Sequence, residues 1–283
     1  MVAGSTWQGR PMIYICYGVT KSASTFLYQL TEEIFSASGL GFSRSPSHGV
    51  LDLSNYYDTI TPNLLDQVAS AAHGRPVVLK THGDLDPGVA ARIAAGEILA
   101  SASIRDPREI ALSMVDHGRR ARRDGEEAFS ELHTVLETLP SLDAQLAVFQ
   151  RWAQVKTVKV FTYNQICFDT AAVVTAVADH LGVSVDPQRV MAPFAASGMI
   201  GQFNMGVPRR YLTMDPAMQE IFLARYAAFY AAMAFEQNLP QLTSAPTFGA
   251  PRPSAGPARM VADARRLVRR LAHGVQIWRF RSR

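Results

Sequence analysis

The residues best suited to chemistry fall into three short groups. Lys21 lies in Thr20-Lys21-Ser22-Ala23-Ser24-Thr25-Phe26, where one full positive charge is surrounded by hydroxyls. Lys80 and His82 are two apart, so on an extended strand they project to one face while Thr81 faces the other. A cation beside an imidazole disfavours the protonated ring, which keeps His82 available as a base near neutral pH. Arg105 opens Arg105-Asp106-Pro107-Arg108-Glu109, and Ser113 follows eight residues later. Cations, hydroxyl donors and one neutral base make a set for binding an anion and removing a proton.

Each group needs an element behind it. Residues 12–17 are a short, mostly apolar run suited to a buried strand, and Phe26, Leu27, Leu30 and Ile34 then repeat with helical period. A strand that feeds a helix through small residues aims backbone N–H groups and the positive end of the helix dipole at one point. Lys21 adds charge there, and Ser22, Ser24 and Thr25 add donors, so the turn reads as a phosphate cradle. It is not the triphosphate loop G-x-x-x-x-G-K-[ST], because Thr20 stands directly before the lysine, where the second glycine belongs.

Further strands are expected at 76–81, 97–104 and 158–162, each apolar. Helices are expected at 61–73, from Pro107 to about Gly118, through 119–140, at 141–153, from after Gln165 to Leu181 and at 213–236, the last buried on several sides. Asp106 reads as an N-cap, Pro107 as the first helical residue and Glu109 as the return arm of a capping box. Alternating strands and helices indicate an α/β fold, a three-layer sandwich with a central, mostly parallel sheet. In such sheets ligands bind beyond the carboxyl ends of the strands, where Lys21, Lys80, His82, Arg105 and Tyr163 all stand.

Four of these stretches, in order, resemble the motifs of the PAPS-dependent sulfotransferases. Residues 20–26 are similar to the family's P-K-S-G-T-T-W loop for the 5′-phosphosulfate, with Thr20 for the proline, Ala23 for the glycine and Phe26 for the tryptophan that stacks on adenine. Lys80-Thr81-His82 matches the family's K-T-H, whose histidine deprotonates the acceptor hydroxyl. Arg105 and Ser113 have the spacing of the pair that clamps the 3′-phosphate. Tyr163 stands where a Y-E-D segment puts its tyrosine on adenine, although the two acids are missing here. The family's R-K-G stretch is degenerate: Gly206 is kept, and the basic pair Arg209 and Arg210 lies three residues onward.

The resemblance implies PAPS as co-substrate with no metal, a P-loop-like 5′-phosphosulfate-binding loop, and a hydroxylated acceptor such as a small molecule, glycolipid or saccharide. His82 would be the general base, Lys21 would stabilise charge on the departing nucleotide, and Lys80 would assist at the transferred group. Lys21, Ser22, Ala23, Ser24, Thr25, Phe26, Arg105, Ser113, Tyr163, Arg209 and Arg210 would bind the nucleotide. Ser113 is also expected to engage Lys21 before the acceptor arrives. Two rival readings are a P-loop kinase, which would need a Walker loop and an acidic magnesium ligand, and a non-enzymatic binder of nucleotide or anionic lipid.

Composition sets outer bounds. A chain of 283 residues with 48% hydrophobic and 18% charged residues is an ordinary globular chain. Its longest apolar stretch, residues 226–235, is too short to span a bilayer. Cys16 and Cys167 make no disulfide framework, and no signal segment is apparent, so a reducing cytoplasm is expected. Residues 252–283 hold nine arginines and one acid, a net +8 in a chain of net +4, which leaves the body at −4. The body is expected to be one domain, 1–240. Pro240, Pro246, Pro251, Pro253 and Pro257 mark a linker at 241–258. At 259–283 a basic amphipathic helix is expected. It could dock on the acidic body, pair with a second copy of the chain, or lie peripherally on an anionic membrane. Nucleic acid is the least favoured partner.

Overall fold

The computed structural model describes residues 12–44, 54–197, 208–233 and 235. The chain divides into two compact units, Met1–Gln241 and Leu242–Arg283. All described residues lie in the first. The expected linker and basic tail helix therefore lie outside the described residues, as does Gly206.

In chain order the elements are β1 (Ile13–Gly18), α1 (Ser24–Ala37), α2 (Pro62–Ala71), β2 (Val77–Thr81), α3 (Pro87–Ala94), β3 (Leu99–Ile104) and α4 (Pro107–Asp124). There follow α5 (Leu139–Gln154), β4 (Lys159–Thr162), α6 (Tyr163–Phe168), α7 (Thr170–Leu181), α8 (Pro187–Ser197), α9 (Pro216–Arg225) and α10 (Ala227–Ala232). The four strands form one sheet in the order β2-β1-β3-β4, every pair parallel. Register places Cys16 opposite Lys80 and Gly18 opposite Ser103, so the loop after β1 sits between the ends of β2 and β3.

The two-residue period of β1 divides the core. Ile13, Ile15 and Tyr17 join one buried cluster with residues of α2, α3, α4 and α5. Tyr14 and Cys16 join the other, with α1, α7 and α8. A strand buried on both faces reads as a continuous apolar run, and the sheet lies between two helical layers. Tyr17 stacks on Trp152 at 4.9 Å between ring centroids, and Trp152 Nε1 donates to the Gly83 carbonyl at 3.2 Å, tying α5 to the end of β2.

Helix starts share a sequence device. Thr61-Pro62, Asp86-Pro87, Asp106-Pro107 and Asp215-Pro216 each place a side-chain acceptor before a first-turn proline. The proline's missing N–H costs nothing there, and the cap satisfies a donor that lacks a helical partner.

The structure differs from the sequence reading at several helices. Glu109 does not close a capping box: Asp106 caps Arg108 N–H, while the Glu109 carboxylate is taken by Arg105 Nε at 2.7 Å and the Arg210 N–H at 2.6 Å. A buried guanidinium outcompetes a backbone donor for a charged acceptor. A capping box does form at Thr162 and Gln165, where none was expected. The helix begun at Pro107 continues to Asp124 and stops at Gly125, whose φ of 73° supplies the left-handed cap. Residues 119–140 are therefore not one helix. After Gly125 come turns and then a 3-10 turn, Leu136–Thr138. The segment after β4 breaks at Asp169 into α6 and α7. The expected helix at 213–236 is a 3-10 turn, Arg210–Thr213, then α9 and α10, broken at Tyr226. Nor is it buried on several sides: of α9 only Phe222 is buried, and Ile221 and Leu223 are each 39% exposed.

Candidate active site

The loop after β1 is held tight from beneath. A Cβ on Gly18 would stand 2.3 Å from Ser103 Oγ and 2.4 Å from Ser24 Cβ, so only glycine lets β1 turn this close to β3. Lys21 and Ala23 both take left-handed backbone, φ 66° and 67°. Left-handed turns of this kind can form anion-binding concavities, although here the Val19, Thr20 and Ser22 N–H groups are bonded to Ser103 O, Gln145 Oε1 and Val19 O. Ala23 is the N-cap of α1 without a side-chain cap bond, and the first turn of α1 carries no acid. The positive end of the helix is thus left for an external anion.

Ser22 departs from its expected role. Its side chain is fully buried, with Oγ donating to the Val19 carbonyl at 2.6 Å and bonded to Ser103 Oγ at 2.7 Å, so the hydroxyl fastens the loop rather than facing a ligand. Thr20, in place of a proline, uses the N–H a proline would lack. Its N–H and hydroxyl both donate to Gln145 Oε1 of α5, at 2.9 and 2.8 Å. Phe26 is buried against Phe194 of α8, edge to face at 5.3 Å.

Lys80 and His82 meet this loop from β2. Lys80 Nζ donates to Thr25 Oγ1 at 2.7 Å, and His82 Nδ1 lies 2.5 Å from the Gly18 carbonyl. A carbonyl only accepts, so Nδ1 carries the hydrogen and neutral His82 presents a lone pair at Nε2. Burial lowers the His82 pKa, and the Lys80 and Lys21 charges add to this, against the opposing Gly18 bond and Asp58. Tyr56 covers this corner, its ring 5.8 Å from that of His82 and 5.5 Å from Lys80 Nζ. It is brought there by residues 55–57, which pair with Lys80 through Lys80 N–H to Asn55 O and Tyr57 N–H to Lys80 O. Gly83 permits the approach, since a Cβ there would fall 1.7 Å from the Asp58 carbonyl.

Lys21 turns to α4, where Nζ lies 2.8 Å from His117 Nδ1 and 5.8 Å from the centroid of Phe129. The expected partner, Ser113, is buried one turn earlier on the same helix, and among the described residues no hydrogen bond joins it to Lys21. Burial and the like charges of Arg120, Arg105 and Lys80 bring the Lys21 ammonium down to about 8. Lys21 and Arg105 therefore lie within each other's electrostatic reach.

Arg105, at the end of β3, is buried, with its guanidinium 3.7 Å from the centroid of Tyr163. Nε is bonded to Glu109, and among the described residues no hydrogen bond is made by its terminal nitrogens, which leaves a rigid pair of donors. Arg210 stands apart from this: its side chain pairs with Asp116 of α4, and its N–H meets Glu109, so its charge is answered within the fold. Arg209 is half-buried with φ 52°.

His117, Phe129, Tyr56 and Gln145 were absent from the sequence reading. No local pattern marks them, because each reaches the loop from a distant element. Among the described residues no group of three or more His, Cys, Asp or Glu side chains could hold a metal ion, and no helix is long and apolar enough to cross a membrane.

No family model matches the sequence, and no curated protein does either. Solved structures do match. Mouse sulfotransferase SULT7A1, complexed with PAP, aligns with TM-score 0.55 at 13% identity, over 81% of this chain and 89% of that one. The chain has the sulfotransferase fold. Retinol dehydratase, in complex with androsterone and inactive cofactor PAP, aligns with TM-score 0.50 at 13% identity, over 76% of this chain and 79% of that one. In this sulfotransferase fold the loop at residues 19–23 and the strand-end Arg105 occupy the carboxyl edge of the parallel sheet, where α/β sheets of this kind bind ligands.

Proposed function

We propose that the chain is a PAPS-dependent sulfotransferase that moves the sulfuryl group to a hydroxyl of an acceptor. The observation that carries this reading is the pair of cationic grips at adjacent strand ends: Lys21 on the uncapped start of α1, and Arg105 with its terminal nitrogens unbonded among the described residues. A nucleotide with anionic groups at both its 5′ and 3′ positions suits two such grips. The uncapped left-handed turn and the mutual repulsion of Lys21, Lys80, Arg105 and Arg120 fit a polyanion.

The chemistry follows from what the side chains can do. The acceptor oxygen attacks sulfur as its proton passes to His82 Nε2, and the bond from sulfur to the bridging oxygen breaks with its electron pair staying on the nucleotide phosphate. Lys21 and the N–H groups at the start of α1 stabilise that growing charge. Lys80, held by Thr25, faces the transferred group. Sulfuryl transfer, like phosphoryl transfer, needs positioning and charge stabilisation more than covalent help. Arg105, with Ser113 and Tyr163, holds the 3′ end, and Tyr56 and Phe129 border the acceptor side.

The test is incubation with sulfur-labelled PAPS and a panel of hydroxylated acceptors, with and without a chelator. Label in an acceptor, undiminished by the chelator, supports the reading. Metal-dependent transfer from ATP instead would favour a kinase, and binding without transfer a non-enzymatic role. Peripheral contact of residues 259–283 with anionic membrane is tested by vesicle cosedimentation with and without them.

A further inference from the structure

We propose that His117 is a positioning residue for Lys21: a neutral imidazole that fixes the ammonium over the phosphate loop without cancelling its charge. This rests on the reading of Lys21 as the cation beside the departing nucleotide phosphate.

The ammonium sits in a corner with two walls. One is His117 Nδ1 at 2.8 Å, and the other is the face of Phe129 at 5.8 Å. The two rings meet edge to face at 5.3 Å, so each steadies the other. The fold builds this corner deliberately far from the loop in sequence. Gly118 admits the Phe129 carbonyl to a point 2.1 Å from where a Cβ would be. Arg122 Nη1 donates to the Ser130 and Leu132 carbonyls at 2.6 and 2.9 Å, and Phe129 itself takes φ 62° to present its ring. Residues 129–132 are thereby fastened to α4.

The choice of acceptor matters. A carboxylate in place of His117 would hold Lys21 more strongly but would neutralise the charge the nucleotide needs. A neutral imidazole takes one of three N–H donors, leaves two for ligand oxygens, and leaves the full charge in place. This works only while Nδ1 holds a lone pair, with the ring hydrogen on Nε2. Burial, Lys21 from the loop and Arg120 from α4 disfavour protonation of His117, and Glu126 beyond α4 opposes them. If His117 becomes charged, two cations face each other at hydrogen-bond distance and Lys21 is driven from its place.

Histidine NMR titration of the nucleotide-free protein tests the contact directly. Lys21→Met should raise the His117 midpoint by about one pH unit, because the neighbouring charge is gone. A midpoint unmoved by Lys21→Met overturns the proposal. Kinetics supply the second arm. His117→Ala should lower kcat about 10–100-fold through loss of positioning, with PAP affinity changed far less. His117→Asn, which keeps an acceptor but cannot titrate, should restore most of kcat and remove the acidic inflection that belongs to His117. An Asn variant as slow as the Ala variant also overturns the proposal. The titration is read without nucleotide, so it decides the contact even if PAPS is not the substrate, a separate failure that would appear as no PAP binding by the wild-type protein.

Discussion

His82 Nδ1 is bonded to the carbonyl of Gly18 at 2.5 Å, which joins the proposed base after β2 to the last residue of β1, where the loop begins. One bond therefore fixes both the ring's tautomer and its distance from the loop after β1. His82→Ala should cut turnover by about 10²–10⁴-fold, the usual worth of a general base, while PAP affinity stays nearly unchanged. Turnover close to wild type would place the base elsewhere.

Activity should peak between two titrations. His82 must be neutral to accept a proton, and its pKa lies below the ordinary imidazole value, so the acidic limb of kcat/KM should fall below that value. Lys21 must be charged, and its pKa is lowered to about 8, so kcat/KM for PAPS should decline as pH rises through that region. Lys21→Arg, which stays charged, should retain only part of the activity but lose the alkaline decline. An alkaline limb that persists in this variant would belong to another group.

Lys21 should also trade stability for function. Its pKa is about 8 in the folded protein against an ordinary 10.5. Between those values the unfolded chain holds a proton that the folded one has released, so this group's contribution to stability rises with pH across that window. At pH 7 the buried charge is a cost. Lys21→Met should then melt higher than wild type at pH 7 and be stabilised less by PAP. A lower melting temperature for the variant would contradict this.

Ala23 carries strain that glycine would release. A non-glycine residue at φ 67° costs about 1–2 kcal/mol, offset in part by the greater unfolded-state freedom of glycine. Ala23→Gly should stabilise by about 0.5–1 kcal/mol net, or about 1–4 °C for a domain of this size. Gly83→Ala should do the reverse, because its Cβ would overlap the Asp58 carbonyl. Overpacking of that kind costs about 1–3 kcal/mol, and the displaced segment carries Tyr56, so activity should fall too. Thermal melting and turnover of both variants check these outcomes.

What was legible in the sequence was local. The buried strands, the strand-loop-helix at Lys21 and the Asp-Pro helix starts depend on neighbours a few residues apart, so composition and period reveal them. The capping box at Glu109 was overridden because Arg105, buried four residues earlier, needed a carboxylate more. The helix break at Tyr226 and the turns after Gly125 answer to contacts with Asp143 and with α4. His117 and Gln145 reach the loop after β1 across 96 and 125 residues, and pairing at such separations leaves no periodic trace. The expected partner of Lys21 missed by one helical turn for the same reason: spacing along α4 gave the face but not which residue on it meets the ammonium.

On the proposed function, one nucleotide is held at both ends, by the loop at Lys21 and by Arg105. Calorimetry with PAP and with 5′-AMP, on wild type and Arg105→Met, measures this directly. PAP should bind the wild type at least about tenfold more tightly than 5′-AMP, since a charge-assisted contact to the 3′-phosphate is worth that much or more, and Arg105→Met should bring the two close together. Equal affinities in the wild type, or a preference for PAP that survives loss of Arg105, would contradict the account.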